Sequence, residues 1–139
     1  VSTEGLSEPT SELKSAVEMV LRVGTHPAKL ARIPEVLDVF GRLYGLGRAS
    51  SSSESAFATE ALFASAIANL GTGPYGQAAR LLFGIDDESR GLPLKTRRRL
   101  AAEELGVYPS TFRKLYEDSL LDDLVFELVR STWQRRANG

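Results

Sequence analysis

The 139-residue chain has no cysteine, a single histidine, a single tryptophan and a single methionine. Without cysteine there is no disulfide, no thiolate metal site and no thiol nucleophile, and such a chain suits a reducing compartment. The lone imidazole, His26, cannot build a His-pair metal site, and it precedes Pro27 in a turn with no obvious partner. Nor does any carboxylate pair stand beside a base or a nucleophile. No apolar run approaches the roughly 20 residues needed to span a bilayer. Val1–Thr10 is acidic and polar, unlike a secretory signal. These absences predict a soluble, cytoplasmic, non-enzymatic chain with no cofactor, no metal and no membrane partner.

Strand signals are equally scarce. Period-2 alternation never lasts five residues and β-branched residues do not cluster. What is present is helical. The composition, 42% apolar and 25% charged, is that of an ordinary globular domain. Val1–Thr10 reads as a disordered lead, and residues 11–139 as one all-α domain, a compact bundle of six or seven helices. Leu13, Ala16, Val17, Val20 and Leu21 recur at helical spacing and predict a helix over Ser11–Val23, stopped by Gly24. Pro27 and Pro34 suit first helical turns, where a missing N–H costs nothing, and predict helices over Pro27–Arg32 and Pro34–Tyr44. Gly45–Ser53, with a run of four serines, reads as a loop open to phosphorylation. An alanine-rich helix over Glu54–Leu70 offers Phe57, Ala61, Phe63, Ala64, Ile67 and Leu70 for burial. Gly71–Gly76 breaks it, Tyr75–Phe83 follows, Gly84 closes that helix, and Asp86–Pro93 is a polar turn.

Charge is nearly balanced overall, with 17 basic and 18 acidic side chains and a net charge of −1. Its distribution is uneven: residues 1–90 sum to −3 and residues 91–139 to +2. Six of the basic residues fall within Leu94–Lys114, against two acidic ones. That basic stretch coincides with the most informative segment, Thr96–Tyr116, TRRRLAAEELGVYPSTFRKLY. Two helices meeting at a sharp corner need a small residue at the crossing, a residue tolerant of positive φ at the bend, and apolar residues on both sides. Ala102, Gly106 and Val107 fit the first three places. Leu100, Ala101 and Leu105 give the first helix its apolar face, and Phe112 and Leu115 are the expected anchors of the second. Tyr108 stands where a Ser, Thr or Asp cap is usual, so Ser110 is a candidate to cap the second helix.

This spacing resembles the general bacterial helix-turn-helix pattern over about 21 residues. The resemblance implies a second helix that enters the major groove. Ser110, Arg113 and Lys114 would lie near base edges, where a guanidinium can bond bidentately to guanine. Arg97, Arg98 and Arg99 sit at the start of the first helix, a poor place for cations by the helix dipole, which suggests a use such as phosphate contact. A wider block from Ala78 to Val129, containing LLFGID, GLPLKTRRRLAAEELGV and STFRKLYED, is similar to a recurrent actinobacterial helical module. Such modules accompany regulatory, signalling or defence-associated proteins, which implies a regulatory or adaptor role.

The last helix, Ser119–Arg136, places Leu121, Leu124, Val125, Leu128, Val129 and Trp133 on one stripe, with Leu120 and Phe126 off it. Phe126 and Trp133 are therefore candidate anchors for a protein partner or a homodimer. Arg130, Arg135 and Arg136 leave this end basic. Weaker signals read structurally. Gly71-Thr-Gly-Pro-Tyr-Gly76 has dinucleotide-fingerprint spacing, yet a helix precedes it where a strand is needed. Asp86, Asp87 and Glu88 lack the spacing of a calcium loop. Ser119 and Asp122 match a capping box. Two functional readings stay open: transcription regulation by DNA binding, as a dimer, and a non-enzymatic adaptor that binds protein.

Overall fold

The computed structural model describes residues 4–45 and 51–138, with side chains at 10–45 and 51–132. Among them there is no strand. The order is α1 (Glu4–Val23), α2 (Pro27–Leu30), α3 (Pro34–Tyr44), α4 (Ser52–Ala68), α5 (Pro74–Phe83), α6 (Leu94–Leu105), α7 (Pro109–Phe112), a π-helical turn (Arg113–Glu117) and α8 (Asp118–Asn138). The last three run on without a break, so the bundle has seven rods. No helix of the described residues is long and apolar enough to cross a membrane.

Boundaries follow the punctuation of the sequence. Pro27, Pro34, Pro74 and Pro109 each open a helix. Gly45, Gly84 and Gly106 each close one in the left-handed conformation, which a side chain would resist. Two expectations need correction. Helix α1 begins at Glu4 rather than Ser11, and runs through Pro9, whose missing N–H forgoes a single backbone hydrogen bond in the second turn. Of the expected serine loop, residues 46–50 lie outside the described residues, and α4 starts at Ser52 with Ser51 accepting from the Glu54 amide at 3.1 Å.

The core lies where α1, α3, α4, α5 and α8 converge, and includes Leu13, Val17 and Val20 of α1, Ile67 of α4, Leu82 of α5, and Leu120, Leu124 and Leu128 of α8. An aromatic column crosses it: Tyr44 stacks on Phe40 at 5.7 Å, Phe40 meets Phe63 at 5.3 Å, and Phe63 meets Phe83 at 5.9 Å. It ties α3 to α4 and α5, each such contact adding to simple area burial. The Tyr44 hydroxyl donates to the Leu128 carbonyl at 2.5 Å, joining α3 to α8. Gly76 admits no side chain, since a Cβ there would stand 2.0 Å from the Gly71 carbonyl oxygen. The glycine-rich spacing of 71–76 is thus a tight helix-to-helix connection.

One polar group organises this interior. Arg97, on α6, is 1% exposed. Its guanidinium donates from Nη2 to the Arg22 carbonyl at 3.1 Å, from Nη1 to Leu82 at 2.5 Å and from Nε to Leu92 at 2.9 Å. The first two acceptors lie in the last turns of α1 and α5, where the backbone leaves carbonyls without intrahelical partners and the dipole favours a cation. Thr25 completes the junction, its amide and its hydroxyl both donating to the Phe83 carbonyl at 3.0 Å. Burial, and secondarily the charge of Arg98, push Arg97 down to about 10, so it stays protonated at neutral pH.

Replacing Arg97 strands three carbonyls at once. Arg97→Ala is expected to cost roughly 3–5 kcal/mol of unfolding free energy. Arg97→Lys keeps the charge but cannot fork to three acceptors, and should still cost about 2 kcal/mol. Urea denaturation measures both; a wild-type midpoint for Arg97→Lys would remove the fork from this account.

Candidate functional site

The corner expected at Thr96–Tyr116 is present as a bend. Helix α6 ends at Gly106, with φ 70° and ψ 30°. The Val107 amide donates back to the Ala102 carbonyl at 3.0 Å, and Ala101 and Ala102 are fully buried at the crossing. Val107 packs partly buried against the core, as a hinge plug should. The second helix begins at Pro109, with Tyr108 in the cap position and no side-chain bond. Ser110 is therefore not the cap. Proline supplies the start, since its fixed φ and missing N–H suit the first helical position.

Beyond the corner the chain departs from its expected periodicity. Phe112 is fully buried, and in a regular α-helix the next inward positions would be Leu115 and Tyr116. The π turn over Arg113–Glu117 inserts an extra residue per turn, so the inward positions become Tyr116 and Glu117. Leu115, expected to be buried, is 62% exposed, and Leu120, expected off the stripe, is fully buried. The capping box at Ser119 and Asp122 is absent for the same reason: α8 continues directly from the π turn. Tyr116 stacks on Phe112 at 6.4 Å.

The π turn also aims Glu117 at α6. Arg98 grips it bidentately, Nε to Oε1 at 2.8 Å and Nη2 to Oε2 at 2.9 Å. Both side chains are largely shielded, with 20% and 10% exposure. The three arginines expected at phosphates thus have separate placements. Arg97 is buried in the carbonyl junction. Arg98 is held by Glu117. Arg99 is exposed and pairs with Glu103 one turn on, at 3.0 Å. Dipole cost at the start of α6 pointed to a use for these cations, and for Arg97 that use is capping the ends of two other helices. Nothing in the sequence tells a structural arginine from a phosphate-binding one, because the carbonyls it serves lie at Arg22 and Leu82.

Ser110, Arg113 and Lys114 are all solvent-exposed. Neither cation has an ion-pair partner among the described residues. Around them the surface is mixed: Glu103, Glu104 and Asp118 are exposed, and so is Tyr108, at 80%. Phe126 is 64% exposed on α8, in keeping with its place off the stripe. The side chains of Trp133, Arg135 and Arg136 lie outside the described residues, while Arg130 pairs with Glu127 at 2.7 Å. Phe57, expected in the core, is 61% exposed on α4.

Other clusters are occupied internally. Asp86 accepts from Gln77 at 2.5 Å and stands 3.9 Å from Arg80. Tyr75 donates to Asp123; burial first, and the neighbouring carboxylates second, raise the phenol above its ordinary value. No grouping of three or more histidine, aspartate or glutamate side chains able to hold a metal occurs among the described residues. Comparison of the chain with protein-family models, with curated proteins and with solved structures finds no match.

The Arg98–Glu117 pair should behave as a shielded salt bridge. Arg98→Met or Glu117→Met alone is expected to cost about 1–3 kcal/mol, because each strands the other charge. The double replacement should recover much of that loss. A double-mutant cycle by denaturation checks this; strictly additive losses would mean the pair contributes nothing as a pair.

Proposed function

We propose that this chain is a non-catalytic, helical protein-interaction module that binds through the exposed side of the corner and of the long rod following it. The carrying observation is the exposure of Tyr108, Leu115 and Phe126 on one continuous run of chain. Large exposed apolar side chains set among polar ones are the usual anchors of protein interfaces. Leu115 and Phe126 are both exposed on this rod, roughly 15 Å apart along its axis at helical rise. Arg113 and Lys114 adjoin Leu115, and exposed Asp118 and Asp122 lie between Leu115 and Phe126, so the surface complements a segment that carries apolar side chains and both signs of charge. Rim charges of this kind steer encounter and select partners more than they add affinity.

A partner captured from the native cell extract, then purified and titrated, should bind at least tenfold more weakly to Leu115→Asp. Ser65→Asp, at an exposed position of α4 outside this surface, should leave it unchanged. A partner indifferent to Leu115 would place the interface elsewhere and end this reading.

Exposure of Ser110, Arg113 and Lys114 on the second helix favours a second reading, transcription regulation by major-groove binding. Its electrostatic support is reduced by the internal engagement of Arg97 and Arg98, and a net charge of −1 adds no long-range attraction. That reading requires retention of a random-sequence duplex pool at moderate salt, falling steeply as salt rises, and lost when Arg113 and Lys114 are both replaced by Ala. Wild-type protein that enriches no duplex under those conditions would exclude it.

A further inference from the structure

A cavity of about 430 Å³ opens between α2 and the N-terminal half of α4. Its walls are apolar: Pro27, Ala28 and Ala31 on one side, and the exposed ring of Phe57 on the other. The volume falls within the range of small-molecule sites. Its polar lining consists of His26, Ser53 and Arg90, and includes no carboxylate.

Each of those three groups can donate a hydrogen bond. His26 accepts the Ala28 amide at Nδ1, at 3.1 Å, which puts the ring proton of the neutral imidazole on Nε2. Ser53 lies in the first turn of the 17-residue α4, where amide groups lack intrahelical partners and the dipole favours an anion. Arg90 is tethered from outside the cavity by Glu60, Nη1 to Oε2 at 2.8 Å, and the fork has further N–H groups beyond that contact. Asp87 and Glu88, in the same turn, are exposed and do not line the cavity. Groups able to donate, lining an apolar recess without a carboxylate, match a ligand with an acceptor-only, anionic head and an apolar body.

We propose that this pocket binds an apolar monocarboxylate, its carboxylate held by Arg90, Ser53 and His26 and its apolar body packed between Phe57 and Pro27. Two sources share this chemistry: a free small organic acid, and the C-terminal residue of a peptide ending in an apolar side chain. The site is separate from the corner surface, and neither proposal rests on the other.

Amide-resolved NMR titration of the full chain tests it, with phenylacetate against its neutral counterpart phenylacetamide. Tetrapeptides ending in phenylalanine, with a free or an amidated C-terminus, form the second arm. Phenylacetate is expected to shift the amides of residues 26–31, 53–57 and 90 saturably at millimolar concentration. Phenylacetamide should bind at least tenfold more weakly. Arg90→Gln should weaken the acid at least tenfold; Ser53→Ala, at an exposed position that spares the fold, should weaken it several-fold. A free-ended peptide that outcompetes phenylacetate assigns the site to peptide termini, and a peptide that fails to bind assigns it to small acids. Equal shifts by acid and amide, or no shift at these residues, would overturn the proposal.

Discussion

The structure depends on a buried cation that has no carboxylate partner. Arg97 occupies the point where α1 and α5 end and α6 passes, and its guanidinium is held by backbone carbonyls alone. An unpaired buried charge is normally prohibitive. Here the convergent negative ends of two helices, together with a third carbonyl from the turn before α6, supply the compensation. The arrangement is self-locking: the helices place the oxygens, and the arginine holds the helices. Because α6 carries the arginine, the junction also sets the direction in which the corner at Gly106 projects.

A second constraint operates one element later. The rod from Pro109 onward must satisfy Phe112 against the corner and Leu120, Leu124 and Leu128 against α1 and α4. Those two apolar sets are out of phase by one residue for a regular α-helix. The π turn absorbs the mismatch, as inserted residues do in other helical packings. Its side effects make the surface: Leu115 turns outward next to Arg113 and Lys114, and Glu117 turns inward to Arg98. Turns of this kind recur at functional sites because they re-aim side chains locally while the helix continues. The outward turn of Leu115 in the proposed interface is thus a consequence of how the core was filled.

The same redistribution bears on the balance between protein and nucleic-acid partners. Seen as a run of letters, six cations within Leu94–Lys114 form a basic patch. In space one is buried, one is neutralised by a shielded glutamate and one is paired along its own helix. What faces solvent is a mixture of aromatic, aliphatic and both signs of charge. Such a surface is better suited to a folded or folding protein segment than to a uniform phosphate backbone.

Local chemistry was legible from residues alone. The all-helical class, the proline starts at Pro27 and Pro34, and the left-handed glycine bend at Gly106 all follow from backbone geometry that each residue imposes on itself and its neighbours. The inward face of α1 was readable too, because 3.6-residue spacing is a property of one segment. Arginine's partner was not legible, since the carbonyls that claim Arg97 come from elements 75 and 15 residues away. Nor was the outward turn of Leu115, which requires knowing that two apolar sets, each regular by itself, must be buried by the same rod. Propensity and spacing act along the chain; charge compensation and helix phase are decided between segments, and only the folded arrangement brings those segments together.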